Sequence, residues 1–135
     1  PDFTQIRVFA DMGLTCFSGN GALPLPALTM GAVGTIDAPL TLAPWHYSEL
    51  FTAWESGNQK LAQSLQAEVR KYVDLVWMYG APADVCKVVL SARLGVDCGR
   101  SIPPVNRLTD EQCKDVLRVA EKLGVTEQRK SRAVG

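Results

Sequence analysis

Ser18-Gly19-Asn20-Gly21 gathers a hydroxyl, a carboxamide and two glycines where a short apolar run, Leu14-Thr15-Cys16-Phe17, stops. Backbone N–H groups in such a turn can hold an anion, and glycine lets a ligand approach the chain closely. Against an anion stand the one nearby cation in sequence, Arg7, and the prolines Pro24 and Pro26, which carry no N–H. A phosphate site is therefore the weaker use of this turn. A second run, Val33-Gly34-Thr35-Ile36, is closed by Asp37-Ala38-Pro39. In α/β folds ligands collect at the carboxyl ends of strands, and both breaks lie at such ends.

Other reactive side chains are dispersed. His46 is the single histidine and has no nucleophile beside it, so a surface role is expected. Cys16, Cys86, Cys98 and Cys113 form no C-x-x-C pair, which argues against zinc and for reduced, mostly buried thiols in a cytosolic protein. Lys60, Lys71, Lys87, Lys114, Lys122 and Lys130 all fall on predicted helices, where a solvated role is the default.

The elements around the turn follow from local signals. Phe3 to Met12 reads as a helix stopped by Gly13, and the residues between the two apolar runs read as a short crossover helix, which makes the runs parallel strands. Pro44 suits the first position of a helix over 45–55, with Tyr47, Leu50, Phe51 and Trp54 on one face and His46 and Glu49 on the other. Gly57 stops it and Asn58 can cap the next, whose stripe is Leu61, Leu65, Val69, Tyr72, Val73 and Val76. A helix over 84–94 points Val85, Val88, Val89 and Ala92 inward and ends at Gly95. Ile102-Pro103-Pro104-Val105 is expected to be extended. Thr109-x-x-Gln112 is a capping box opening a helix with Cys113, Val116, Leu117, Ala120 and Leu123 inward and Gly124 at its stop.

The order is α-β-α-β-α followed by three helices. Two parallel strands cannot cover both their faces, so the segment reads as the end of a larger α/β domain. The expected parent is a β/α barrel, which takes about 250 residues, with a doubly wound open sheet as alternative.

Composition agrees. The chain has 135 residues, 47% hydrophobic and 21% charged, with a net charge of zero, which excludes disorder and collagen-like repeats. Up to Gly57 only Arg7 is basic, against Asp2, Asp11, Asp37, Glu49 and Glu55, as suits a segment covered by a larger body. The remainder carries mixed charge with no basic stripe, so no nucleic-acid partner is expected. The tail Arg129-Lys130-Ser131-Arg132 reads as a solvated terminus. No apolar run suits a membrane span or signal peptide.

With these residues in view, S-G-N-G-A-L-P-L-P-A-L-x-x-G-A-V-G-T-I resembles the last two strands of the dihydrodipicolinate synthase and N-acetylneuraminate lyase family. E-L-F-T-A-W-E-S-G-N resembles that family's last barrel helix. Val85 to Leu90, Leu94-Gly95 and Arg100-x-x-Pro103-Pro104 follow in the expected order. The resemblance implies the C-terminal part of a (β/α)8 TIM barrel, an α/β fold, followed by a helical C-terminal extension. Residues 1–57 would hold the last two β/α units with the preceding helix, and 58–135 the extension.

The implied activity is that of a pyruvate-dependent class I aldolase or lyase, forming a lysine Schiff base with a 2-oxo acid and needing no further cofactor. The protonated imine is the electron sink for the carbanion at the adjacent carbon. The family's lysine lies on an earlier strand and matches none of the lysines here, so the chain alone is expected to be inactive. By resemblance, Gly19 lies at the end of the seventh strand. Ile36 is the eighth-strand residue whose backbone faces the lysine. Ser18, Asn20 and Gly21 stand near the distal end of the substrate. Many members carry Asp where this chain has Asn20 or Gly21, so a smaller or less hydroxylated 2-oxo acid is expected, with pyruvate as one half. The resemblance also implies a cytoplasmic homotetramer with no membrane partner. The alternative is a non-catalytic ligand-binding or assembly module on the same fold, against which a lysine ending the sixth strand would favour the enzyme.

Overall fold

Asp2 opens the first helix, α1 (Phe3–Asp11), by accepting the Thr4 N–H at 2.9 Å. Met12 caps its far end, and Gly13 follows with a left-handed φ of 80°. The computed structural model describes residues 2–128, so the basic tail, including Lys130, lies outside the described residues. These fold as two units divided between Asp74 and Leu75.

The first unit is built on strands β1 (Phe17–Ser18) and β2 (Gly34–Thr35), joined by helix α2 (Pro24–Thr29). They are parallel, as the crossover requires, with Phe17 opposite Gly34 and Ser18 opposite Thr35. Bonds from Val33 N to Cys16 O (2.8 Å) and Ile36 N to Ser18 O (2.9 Å) extend the ladder. The first strand is shorter than the run Leu14–Phe17 and reaches into the expected turn, because pairing depends on what lies opposite and not on apolar character alone. A 3-10 turn, Ala38–Thr41, then leads into helix α3 (Pro44–Glu55), with Pro44 at its first position as expected. Helix α4 (Gln59–Val76) begins where the Asn58 side chain accepts the Leu61 N–H at 3.2 Å.

The core of this unit is Ala27 and Leu28 from α2, Tyr47, Leu50 and Ala53 from α3, and Ala62, Leu65, Val69 and Tyr72 from α4. Phe51, Trp54 and Val73 are half-buried and Leu61 is exposed. By contrast α1 buries no residue fully, and Val8, Phe9 and Met12 stand in the open.

The second unit packs helix α5 (Pro82–Leu94) on helix α6 (Asp110–Lys122), with Val85, Val89, Val116, Ala120 and Val125 buried. Gly95 ends α5 in the left-handed region, and the reciprocal Thr109–Gln112 box opens α6. Two expected inward residues of α5 do not hold: Val88 is half-buried and Ala92 exposed, while Asp84 and Cys86 are buried. Asp84 organises the loop between the helices. Its carboxylate accepts from Arg100 Nη2 at 2.6 Å, Ser101 N at 2.7 Å and Leu108 N at 2.9 Å. The chain turns at 102–105 instead of running extended, with Val105 N donating to Ile102 O at 3.0 Å and a cis peptide between Pro103 and Pro104. A steric rule for each residue before a proline does not forbid a reversal across several.

All four cysteines are free, but only Cys86 is buried, so the expectation of mostly buried thiols is corrected. No helix of the described residues is long and apolar enough to cross a membrane.

Candidate functional site

Side chains alternate across a strand, so the two-stranded sheet has two unlike faces. One carries Phe17, Gly34 and Ile36. A Cβ built on Gly34 would lie 3.1 Å from the Phe17 ring, which therefore lies over this glycine. This face is open: Phe17 is 55% and Ile36 70% exposed. The other face carries Ser18 and Thr35, both buried. Residues 18–21 leave the carboxyl end of β1, and residues 36–38 leave that of β2.

The turn is closed by its own polar groups. Ser18 Oγ accepts from Asn20 N at 3.2 Å, and Asn20 Oδ1 accepts from Ala22 N at 2.9 Å. The hydroxyl and amide thus serve the turn's backbone, as Ser and Asn side chains do in local turn motifs. Gly19 stands apart, with nothing within 4 Å of a Cβ placed on it. Among the sequence-derived residues, Gly19 and Ile36 border the open side, Ser18 lies on the covered face, Asn20 is half-buried, and Gly21 is buried.

Three side chains from outside the turn hold it from behind. Asp37 Oδ2 accepts the Gly21 N–H at 2.7 Å, and its Oδ1 accepts the Ala38 N–H at 2.8 Å. The Tyr47 hydroxyl donates to Gly21 O at 2.9 Å. Gln66 donates to Ala22 O at 2.7 Å and accepts from Leu25 N at 2.9 Å. Burial, reinforced by the charge of Asp37, pushes the Tyr47 phenol well above its ordinary value, so it remains a donor through the physiological range. A Cβ at Gly21 would meet Asp37 Oδ2 at 3.0 Å and the Tyr47 hydroxyl at 3.1 Å, so any side chain there would press on both groups.

Sequence reading did not place a carboxylate at this turn, because Asp37 lies 16 residues from Gly21. Its only local signal was its position at the end of the second run. The anion reading is overturned: the N–H groups of Asn20, Gly21 and Ala22 already donate to side chains, one of them a carboxylate.

His46 is not a free surface residue. It is half-buried, its Nδ1 lies 2.5 Å from the Tyr72 hydroxyl, and the two rings stack with centroids 5.5 Å apart. Lys60, Lys71, Lys87, Lys114 and Lys122 lie on α4, α5 and α6, none on a strand. No cluster of three potential metal ligands occurs among the described residues.

Known proteins resemble this chain in sequence and in fold. A sequence model of the dihydrodipicolinate synthetase family matches residues 2–123. The 4-hydroxy-tetrahydrodipicolinate synthase of Corynebacterium diphtheriae is 29% identical over 118 residues, 87% of this chain and 38% of that protein. The enzyme of that name from Bifidobacterium animalis subsp. lactis is 32% identical over 111 residues, 82% of this chain and 37% of that protein. Among solved structures, the wild-type sialic acid aldolase of Ruminococcus gnavus superposes with a TM-score of 0.83 at 20% identity, over 93% of this chain and 43% of that one. The dihydrodipicolinate synthase of Bacillus anthracis gives 0.77 at 24% identity, over 89% and 41%. The chain therefore spans about two fifths of the length of the proteins it matches. Its fold is the C-terminal part of a (β/α)8 barrel followed by helices, and not a doubly wound sheet.

Proposed function

This chain belongs to the dihydrodipicolinate synthetase family, and from that premise we propose that it forms one wall of the pocket of a lyase that joins or cleaves a 2-oxo acid through a lysine Schiff base. The open sheet face of Phe17, Gly34 and Ile36 is the side on which the remaining strands of a barrel pack, and the observation that carries the reading is Gly19 at its carboxyl edge, inside a family match over 2–123. In a barrel that edge is where substrate lies.

The lysine comes from a strand outside this segment, since the five described lysines sit on helices. It condenses with the carbonyl of pyruvate and loses water. The resulting protonated imine accepts the electron pair released at the adjacent carbon. The backbone around Ile36 faces that lysine, and Ser18, Asn20 and Gly21 stand toward the distal end of the substrate. The flank of Gly19, which carries no side chain, suits a short acceptor better than a polyol, since the oxygens of Asn20 and Asp37 are taken by backbone N–H groups. Residues 1–57 complete the barrel and 58–135 form its extension, in a cytoplasmic homotetramer.

The test is the full-length protein incubated with pyruvate and borohydride. A mass increase equal to one reduced pyruvate adduct, on a lysine outside the five above, is the expected result. No adduct leaves a ligand-binding module as the better account.

A further inference from the structure

We propose that Asp37 is a positioning residue: its carboxylate fixes where the turn 18–21 stands at the rim of the pocket, with Tyr47 and Gln66 in support. This rests on the turn lining the pocket of a 2-oxo acid lyase. Gly21 is gripped at both ends of its backbone, its N–H by Asp37 at 2.7 Å and its C=O by Tyr47 at 2.9 Å. Gln66 holds the next turn of chain at Ala22 and Leu25. The three side chains come from the end of β2, from α3 and from α4. The rim of one strand is thereby referenced to three other elements.

Asp37 is the ionic member of the set, and a carboxylate accepting from an amide is stronger than a neutral pair. Its second oxygen is tied to Ala38 N at 2.8 Å, which fixes the direction of the first. On its other side the turn offers no side chain at Gly19, where an added Cβ would touch no atom of this chain within 4 Å. Without Asp37 the Gly21 backbone keeps only the Tyr47 bond at its carbonyl, and the rim is less sharply fixed. The turn that Asp37 holds stands toward the distal end of the substrate, so the damage falls on the fit there.

The experiment uses the full-length protein with Asp37→Ala and Asp37→Asn. The probes are borohydride trapping of pyruvate and cleavage of a short 4-hydroxy-2-oxo acid. Of the two hydrogen bonds that Asp37→Ala removes, the one to Gly21 holds the turn, and its loss at ordinary net strength predicts a rise in KM for cleavage of about fivefold. Pyruvate trapping should stay at the wild-type rate. Asp37→Asn, which keeps an acceptor oxygen without its charge, should fall between. If Asp37→Ala does not fold, Tyr47→Phe, which loses only the hydroxyl, should show the same split. A KM within twofold of wild type in a folded variant overturns the proposal. So does an equal fall in trapping and cleavage, which marks general loss of structure. A wild-type protein that takes no pyruvate adduct refutes the lyase reading and the proposal with it, whereas an adduct with unchanged KM refutes the positioning role alone.

Discussion

Asp84 and Asp37 each hold a loop by its backbone amides, but under different solvation. Asp84 is fully buried and takes a guanidinium and two backbone N–H groups. Asp37 is half-buried and is content with two N–H groups. A carboxylate wholly removed from water needs a countercharge and full hydrogen bonding, whereas one that keeps contact with water does not. The loop at Asp84 is thus a structural lock, and the turn at Asp37 is held more lightly, at the edge of an open face.

The sharpest way to break this comparison is Asp84→Ala. It orphans two buried amides and leaves Arg100 without its partner, and should destabilise by about 3–5 kcal/mol. Urea unfolding measures it, and a loss below about 1 kcal/mol would place Asp84 in the same class as Asp37.

Acid should act in the same direction. Burial would raise the Asp84 pKa, but the hydrogen bonds from Arg100, Ser101 and Leu108 outweigh it and hold the carboxyl well below its ordinary 3.8. A depressed folded value contributes stability that is complete above the unfolded value and is lost as pH falls below it. The unfolding midpoint should therefore drop below about pH 4, and Asp84→Asn should remove that part of the slope.

Gly21→Ala should cost less, about 1–2 kcal/mol, because its methyl must displace Asp37 or Tyr47 from contacts of 3.0 and 3.1 Å. Thermal melting checks it, and unchanged stability would mean that these two groups yield freely. Gly19→Val should be the mildest for stability, within about 0.5 kcal/mol, since its Cβ meets open space. On the proposed function it should nevertheless lower turnover of the full-length protein, because the added bulk would occupy the pocket rim. Normal turnover in a folded Gly19→Val protein would remove the turn from the pocket.

Helices were readable because their signals are local. Pro44 at a first turn, the Thr109–Gln112 box and Gly95 at a stop each act within a few residues of their own position. The family pattern was likewise linear, and it carried the barrel. The strand boundary at Phe17–Ser18 was not readable, because a two-residue ladder exists only where a partner comes alongside. The inward set of α5 shifted for a similar reason. An apolar stripe does not announce that Asp84 will be buried by an arginine 16 residues away.

What the sequence determined by itself, then, is the order of the elements, the parallel crossover and the family. Only the tertiary structure decided which groups hold the turn: Asp37, Tyr47 and Gln66 reach Gly21 and Ala22 across 16, 26 and 44 residues. It also decided that His46 pairs with Tyr72 instead of facing solvent. The physical reason is that capping and periodicity are short-range properties of one chain segment. A side chain bonding a distant backbone depends on how several packed elements bring their surfaces together.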